Sequence, residues 1–242
     1  MMERPILFSA PMVRAILDGH KTQTRRVIDK DVSNRFDIDT DGTAFAYIDQ
    51  ATGDSYKPHD ICIYKPGDIL WVKEAWATYW RHNTDGYIYP CEFEGQIDID
   101  KFMSEDIGYP FALGKAGGIE YRASYPENGY GYYGAGPFVG RITKWRSLRY
   151  MPKWAARIWL KVKDVRVERV QDISEDDARA EGCITFSDKI GDGKFDDVYE
   201  FDLTARDAFV ELWDSINAKR GYGWGINPWV WAIEFEVAEA QP

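Results

Sequence analysis

Between Gly19 and Val27 the chain reads His20-Lys21-Thr22-Gln23-Thr24-Arg25-Arg26, which gathers an amine, two hydroxyls and two guanidinium groups in one short stretch. A guanidinium presents a planar fork of donors that fits phosphate, so Arg25 and Arg26 are candidates for a phosphate clamp. Adjacent residues of a strand point to opposite faces, so only one of the two reaches a given cleft; Arg26 is favoured because it shares parity with Thr24. Far along the chain, Glu181 falls at the end of a short helix opened by Ser174-Glu175-Asp176-Asp177. A helix C-terminus disfavours negative charge by roughly 0.3–1 kcal/mol, so Glu181 either has a cationic partner, with Lys21 the candidate, or is a solvated acid at a helix end. Lys21 has a bland alternative too, as a cation compensating the dipole of the helix before it.

Trp71, Trp76, Trp145 and Trp154 are candidate stacking platforms, since a base laid on an aromatic face gains roughly 1–3 kcal/mol. Trp76 and Trp154 are the stronger of the four, with Glu74, Arg146, Lys153 and Arg157 nearby in sequence as polar partners; core packing is the competing reading for each. No phosphate-cradling glycine loop, nucleophile elbow or Cys-x-x-Cys pair occurs, and no cofactor or metal is expected. The weak metal-like spacing is His59 with Cys62, joined by His82 and Cys91.

The elements that must position these groups can be read from pattern. Pro5 to Phe8 reads as a strand, and Ser9 to Gly19 as a helix with Met12, Ala15 and Ile16 on one apolar stripe. Lys21 to Val27 is β-prone. Residues 29–63 are polar and aperiodic, an inserted hairpin or loop, and Pro66-Gly67-Asp68 launches a strand over Ile69 to Val72. Residues 78–140 form a second irregular insertion whose Gly-Tyr core, Gly129 to Gly136, reads as loop.

From Ile158 the pattern slips. Ile158, Leu160 and Val162 share a face, whereas Val165 and Val167 have the opposite parity, so a bulge is expected at Lys163-Asp164. A short helix follows from Ser174 to Gly182, then an acidic loop over 184–203. Thr204 caps a second helix carrying Phe209, Leu212, Trp213 and Ile216 on its buried face. Trp229, Trp231, Ile233, Phe235 and Val237 alternate with Glu234 and Glu236, the mark of a half-buried strand. The fold class expected is α+β, a small β-barrel with short flanking helices, as one domain spanning 1–242.

Bulk properties narrow the function. Net charge of −10 argues against salt-driven duplex binding, which needs many cations facing phosphates. The charge is uneven, however. From Arg141 to Val170 there are ten Lys/Arg against two acids, and from Gln171 to Asp214 four against fourteen. Either one face is locally basic or both runs are ordinary solvated faces. Aromatic residues make up 15%, enough for some rings to line a cleft or partner surface. No apolar run is long enough to span a membrane and no secretory signal opens the chain, so a cytoplasmic protein without a membrane partner is expected. Three widely spaced cysteines, Cys62, Cys91 and Cys183, fit reduced thiols.

Gly19 through Arg26 resembles the signature of the ASCH family, a helix ending in Gly followed by Lys-Thr-x-Thr-x-Arg. The stretches Gly67-Asp68-Ile69-Leu70-Trp71-Val72-Lys73-Glu74-Ala75-Trp76 and Met151-Pro152-Lys153-Trp154-Ala155-Ala156-Arg157 resemble a phage and prophage branch of it. The resemblance implies a PUA-like barrel whose cleft takes RNA, a nucleotide or a modified nucleobase. One branch of the family hydrolyses the acetyl amide of 4-acetylcytidine with a Lys, a Thr and a Glu, which fall here on Lys21, Thr24 and Glu181; others are ribonucleases or RNA-binding modules. Such a trio makes chemical sense. A Thr hydroxyl needs a base, a lysine serves as one when burial lowers its pKa, and a carboxylate can orient that amine. Two alternatives stand beside the enzyme: a reader of modified bases or RNA that does no chemistry, and a phage-encoded module docking on a host protein through its acidic stretch, Asp172 to Asp214.

Overall fold

A computed structural model describes residues 1–83, 117–124, 138–142, 146–183 and 204–238. Trp145, Cys91, the Gly129–Gly136 loop and the acidic 184–203 loop lie outside the described residues. The chain divides into two compact units: Met1–Arg4, Ala15–Leu70 and Ile158–Pro242 form the first, and Pro5–Arg14 with Trp71–Arg157 the second. The class is α+β, with a mixed five-stranded sheet and few helices.

The sheet runs in the order β1 (Glu3–Leu7), β6 (Ile69–Lys73), β10 (Trp159–Arg169), β11 (Trp229–Ala238), β2 (Gln23–Val27). β1 and β6 run parallel, as the bonds Ile69 N→Met2 O and Phe8 N→Lys73 O require. β10, β11 and β2 are antiparallel neighbours. β1 and β2 are its edges, and among the described residues it does not close into a barrel.

The parity slip in β10 is resolved where the apolar pattern breaks. Val162 pairs with Phe235 and Asp164 with Glu234, leaving Lys163 as the extra residue of a bulge. β11, the strand expected to be half-buried, is instead covered on both sides over its first five residues, while Val237 is exposed. The reason is layering. Val230 packs into a cluster with Val170, Ile173, Ala178, Phe209 and Trp213, and Trp229 on the other face packs with Ile28, Phe36 and Ala44.

The Val230 face is covered by two helices, α3 (Glu175–Ala180) and α4 (Ala205–Asn217). Ser174 caps the first by accepting from the Asp177 amide, and Thr204 with Asp207 forms a reciprocal capping box on the second. Phe209 and Trp213 of α4 are buried as their spacing requires; Ile216 is exposed, so the stripe ends a turn early and buried Asn217 takes its place. The Trp229 face is backed by the segment expected as an inserted hairpin. It holds a four-residue helix, α2 (Lys30–Ser33), and a small antiparallel sheet of β3 (Phe36–Ile38), β4 (Ala44–Ile48) and β5 (Ser55–Tyr56). Asp39 and Asp49 each accept backbone amides across its two turns.

In the second unit, residues read as an irregular insertion contain strands. β7 (Trp76–Asn83) lies between β8 (Gly117–Tyr121) and β9 (Phe138–Ile142), antiparallel to both. Sequence pattern missed them because β8 opens on Gly117-Gly118 and β7 carries aromatics on both parities, so neither shows a period of two. No helix among the described residues is long and apolar enough to cross a membrane.

Candidate functional site: a buried charge cluster at the edge strand

The helix α1 (Ala10–Leu17) ends in Gly19, whose φ of +76° is open to glycine and lets the chain fold back. The amides of His20 and Lys21 then both donate to the Ala15 carbonyl. That turn delivers Lys21 to the edge of β2, where it forms a bridge pair with Glu181 while the Thr22 amide donates to Ala180 O. The C-terminal end of α3 thereby occupies backbone positions that an edge strand would otherwise leave unpaired.

Lys21 is 1% exposed and Glu181 4%. The Lys21 amine donates to Glu181 Oε2 at 2.6 Å and to the Glu181 carbonyl at 2.8 Å. The other carboxylate oxygen accepts from Arg25 Nη1 at 3.3 Å. Arg25 is gripped elsewhere as well. Its Nε donates to Glu168 Oε1 at 2.8 Å, Nη2 to Asp177 Oδ2 at 3.0 Å and Nη1 to Gln23 Oε1 at 2.9 Å, and the group lies over the Phe209 ring. Arg166 stands at the rim between Glu168, Asp177 and Glu234.

Sheet register assigns faces. Across β2 and β11, Arg25 stands opposite Ala232 and Gln23 opposite Glu234; across β10 and β11, Arg166 stands opposite Ala232 and Glu168 opposite Val230. Opposed residues share a face, so Gln23, Arg25, Arg166 and Glu168 are on the side of α3 and α4. Thr24, opposite Ile233, and Arg26, opposite Trp231, are on the other side. The parity of Thr24 and Arg26 is as strand geometry demands, and the structure does not put the Thr24 side chain on the Arg25 side. Lys21 precedes the strand, and its amine is felt by Arg26 as well as by Glu181. Glu181 thus sits at the strand edge, in reach of charge on both faces.

The electrostatics follow. Burial pushes the Lys21 amine below its ordinary pKa; the Glu181 charge and hydrogen bond oppose this, Arg26 adds to it, and the net direction is down. Burial lowers Arg26 too, with Tyr64 and Glu181 favouring its charge and Arg220 opposing it. Partial burial raises Asp177, but the Gln23 hydrogen bond and the Arg25 and Arg166 cations outweigh it, holding the carboxyl below the usual range. Burial pushes the neighbouring Cys183 thiol up to about 11, with Glu181 adding to the rise, which makes it inert. Cys62 and Cys183 are both free and buried.

Sequence reasoning did not find Glu168, Asp177 and Gln23. One signal was present: Asp177 and Glu181 are four apart on one helix, a repulsive pair that calls for a shared cation, and Arg25 supplies it.

The remaining candidates belong to the second unit. Glu74, 1% exposed, is held by a two-pronged contact from Arg157, Nε to Oε1 at 2.8 Å and Nη2 to Oε2 at 3.0 Å, and Arg157 also stacks over Tyr121. Trp76 is buried against Met151, Ala155 and the edge of the half-buried Trp154, with Arg146 over its ring. Those contacts are what a core Trp makes. Trp71 is half-buried with Lys73 over its ring.

An α+β fold with a buried, charge-balanced cluster at an edge strand is the class these observations define. No family model matches the chain, and no curated protein or solved structure matches it.

Proposed function

We propose that the chain is a nucleotide- or modified-nucleobase-binding protein of the ASCH group, with the PUA-like barrel that group implies, and that it hydrolyses a small amide on a modified cytidine. The observation that carries this reading is the 2.6 Å contact between the Lys21 amine and the Glu181 carboxylate, both out of solvent and brought together across 160 positions of sequence. A lysine whose pKa is lowered spends more time neutral, and only the neutral amine accepts a proton. In the proposed step the Thr24 hydroxyl gives its proton to Lys21 as its oxygen adds to the amide carbonyl. Glu181 holds the amine in place, and the proton passes to the departing cytosine nitrogen as the C–N bond breaks and the acetyl group stays on Thr24. A water deprotonated by Lys21 then cleaves that ester, releasing acetate and restoring the Thr24 hydroxyl. Arg26, on the Thr24 side, is the candidate for binding the anionic part of the ligand.

A second reading, a base or RNA reader without chemistry, is favoured by a different observation: both oxygens of Glu181 are already engaged by cations. The two separate in one assay. Acetate release from 4-acetylcytidine is measured for the wild type and for Lys21→Met, Thr24→Val and Glu181→Gln. The enzyme reading expects turnover in the wild type and its loss in all three. Turnover persisting in the variants sinks the trio; binding of the cytidine without turnover in the wild type establishes the reader.

A further inference from the structure

Arg25 has the residue type of a ligand clamp and none of the availability. Its side chain is fully buried, three carboxylates and a side-chain amide oxygen surround it, and those carboxylates come from β10, α3 and the residue that ends α3. The side chains of Glu168 and Asp177 are themselves partly exposed, whereas Glu181 is not. Arg25 therefore ties two rim acids on one face of the sheet to Glu181, the acid on the Lys21 amine.

We infer that Arg25 is a positioning residue: anchored by Glu168, Asp177 and Gln23, it fixes Glu181 Oε1 so that Oε2 stays on the Lys21 amine. The inference rests on the reading of Lys21 as the base. A carboxylate held at one oxygen has lost its rotation about the last side-chain bond. With Arg25 absent, Glu181 is free to turn toward Arg26 or solvent, and Lys21 loses the partner that opposes its desolvation. Among the described residues the charged and titratable groups facing the cluster are Lys21, Arg25 and Arg26 from the β2 segment, Arg166 and Glu168 from β10, Glu234 from β11, and Asp177, Glu181 and the Cys183 thiol from α3 and its end, with Tyr64 and Arg220 acting on Arg26.

The test compares full-length wild type, Arg25→Gln and Arg25→Lys by nitrogen NMR titration of the Lys21 amine, alongside acetate release. In Arg25→Gln the Lys21 midpoint moves further down, because its favourable neighbour has swung away, and Arg25→Lys restores part of it. In the assay kcat falls by about tenfold or more with KM unchanged, the scale on which outer partners of a reacting group act, and the rise of rate with pH moves to lower pH. A merely structural role leaves the Lys21 midpoint and the pH profile where they are, and that outcome in folded Arg25→Gln overturns the inference. Should Arg25→Gln not fold, the Glu168→Gln/Asp177→Asn double variant releases Arg25 from its anchors, and the same Lys21 readout decides. A wild type that releases no acetate defeats the amidohydrolase reading alone; the NMR result still upholds or overturns the positioning role.

Discussion

Glu181 carries its carboxylate 2.6 Å from the amine of Lys21, a contact closed across 160 positions of sequence. Because both groups are buried, the contact is not an ordinary surface ion pair, whose worth is small and screened by salt. Removing one partner strands the other's charge in a medium that cannot solvate it.

Glu181→Ala is therefore expected to lose about 3–5 kcal/mol of stability, since it strands Lys21 and part of Arg25 together. Glu181→Gln, which keeps an acceptor and the side-chain shape, loses less. Urea denaturation of the two variants checks this, and equal, small losses in both would contradict the buried pairing. The same consideration makes Gln rather than Ala the proper replacement in the activity assay.

A pH dependence of stability follows from Lys21. Its amine titrates below the ordinary lysine value of 10.5 in the folded chain, so between those two values the unfolded chain binds the proton more tightly. Stability contributed at this site consequently rises with pH through that window and levels off above 10.5. Lys21→Met removes the dependence. Denaturation curves for both proteins between neutral pH and pH 10.5 compare the slopes; parallel curves would exclude a lowered Lys21.

Gly182 has φ of +86°, and a Cβ there would meet the Ala15 side chain at 2.9 Å and Lys21 Cβ at 3.3 Å. Gly182→Ala is expected to cost about 1–3 kcal/mol from backbone strain alone, and to push Lys21 off Glu181. Thermal melts measure the first effect and the Lys21 NMR titration the second. Ala15→Gly in the same chain relieves the contact and returns part of the loss.

In the second unit, Arg157→Lys keeps the charge but not the fork that holds Glu74, nor the flat surface over Tyr121. Destabilisation of about 1–3 kcal/mol is expected from the broken charged hydrogen bond and the under-satisfied buried carboxylate. A lysine variant as stable as the wild type would show that the two-pronged geometry is unimportant.

Elements with local signals were legible in the sequence: the caps at Ser174 and Thr204, the glycine ending α1, and the strand over 229–238. Each is announced by residues within a turn of it. The strands β7, β8 and β9 were not, because their pairing is between segments far apart and their composition hides the alternation. At the site, the unusual place of Glu181 at a helix end pointed to a cation. That Arg25 would be enclosed by acids could not be read, since its partners Glu168 and Asp177 arrive from other elements. Trp76 was a platform candidate by type, yet burial against Met151 and Ala155 depends on a segment some 75 residues away.

The extra residue at Lys163 reaches further than the bend it makes. Up to Val162, even-numbered side chains of β10 share a side with Phe235; beyond the bulge, odd-numbered ones do, and the even-numbered Arg166 and Glu168 emerge beneath α3 and α4. Were the bulge closed with Lys163 kept, Lys163 would stand opposite Glu234 and every later residue would slip by one, sending Glu168 to the layer of Trp229 and leaving Arg25 short of an anchor. Deletion of Lys163 removes only the bulge and keeps Glu168 opposite Val230, whereas the loss of one further residue between Asp164 and Arg166 reverses which charges this cluster contains.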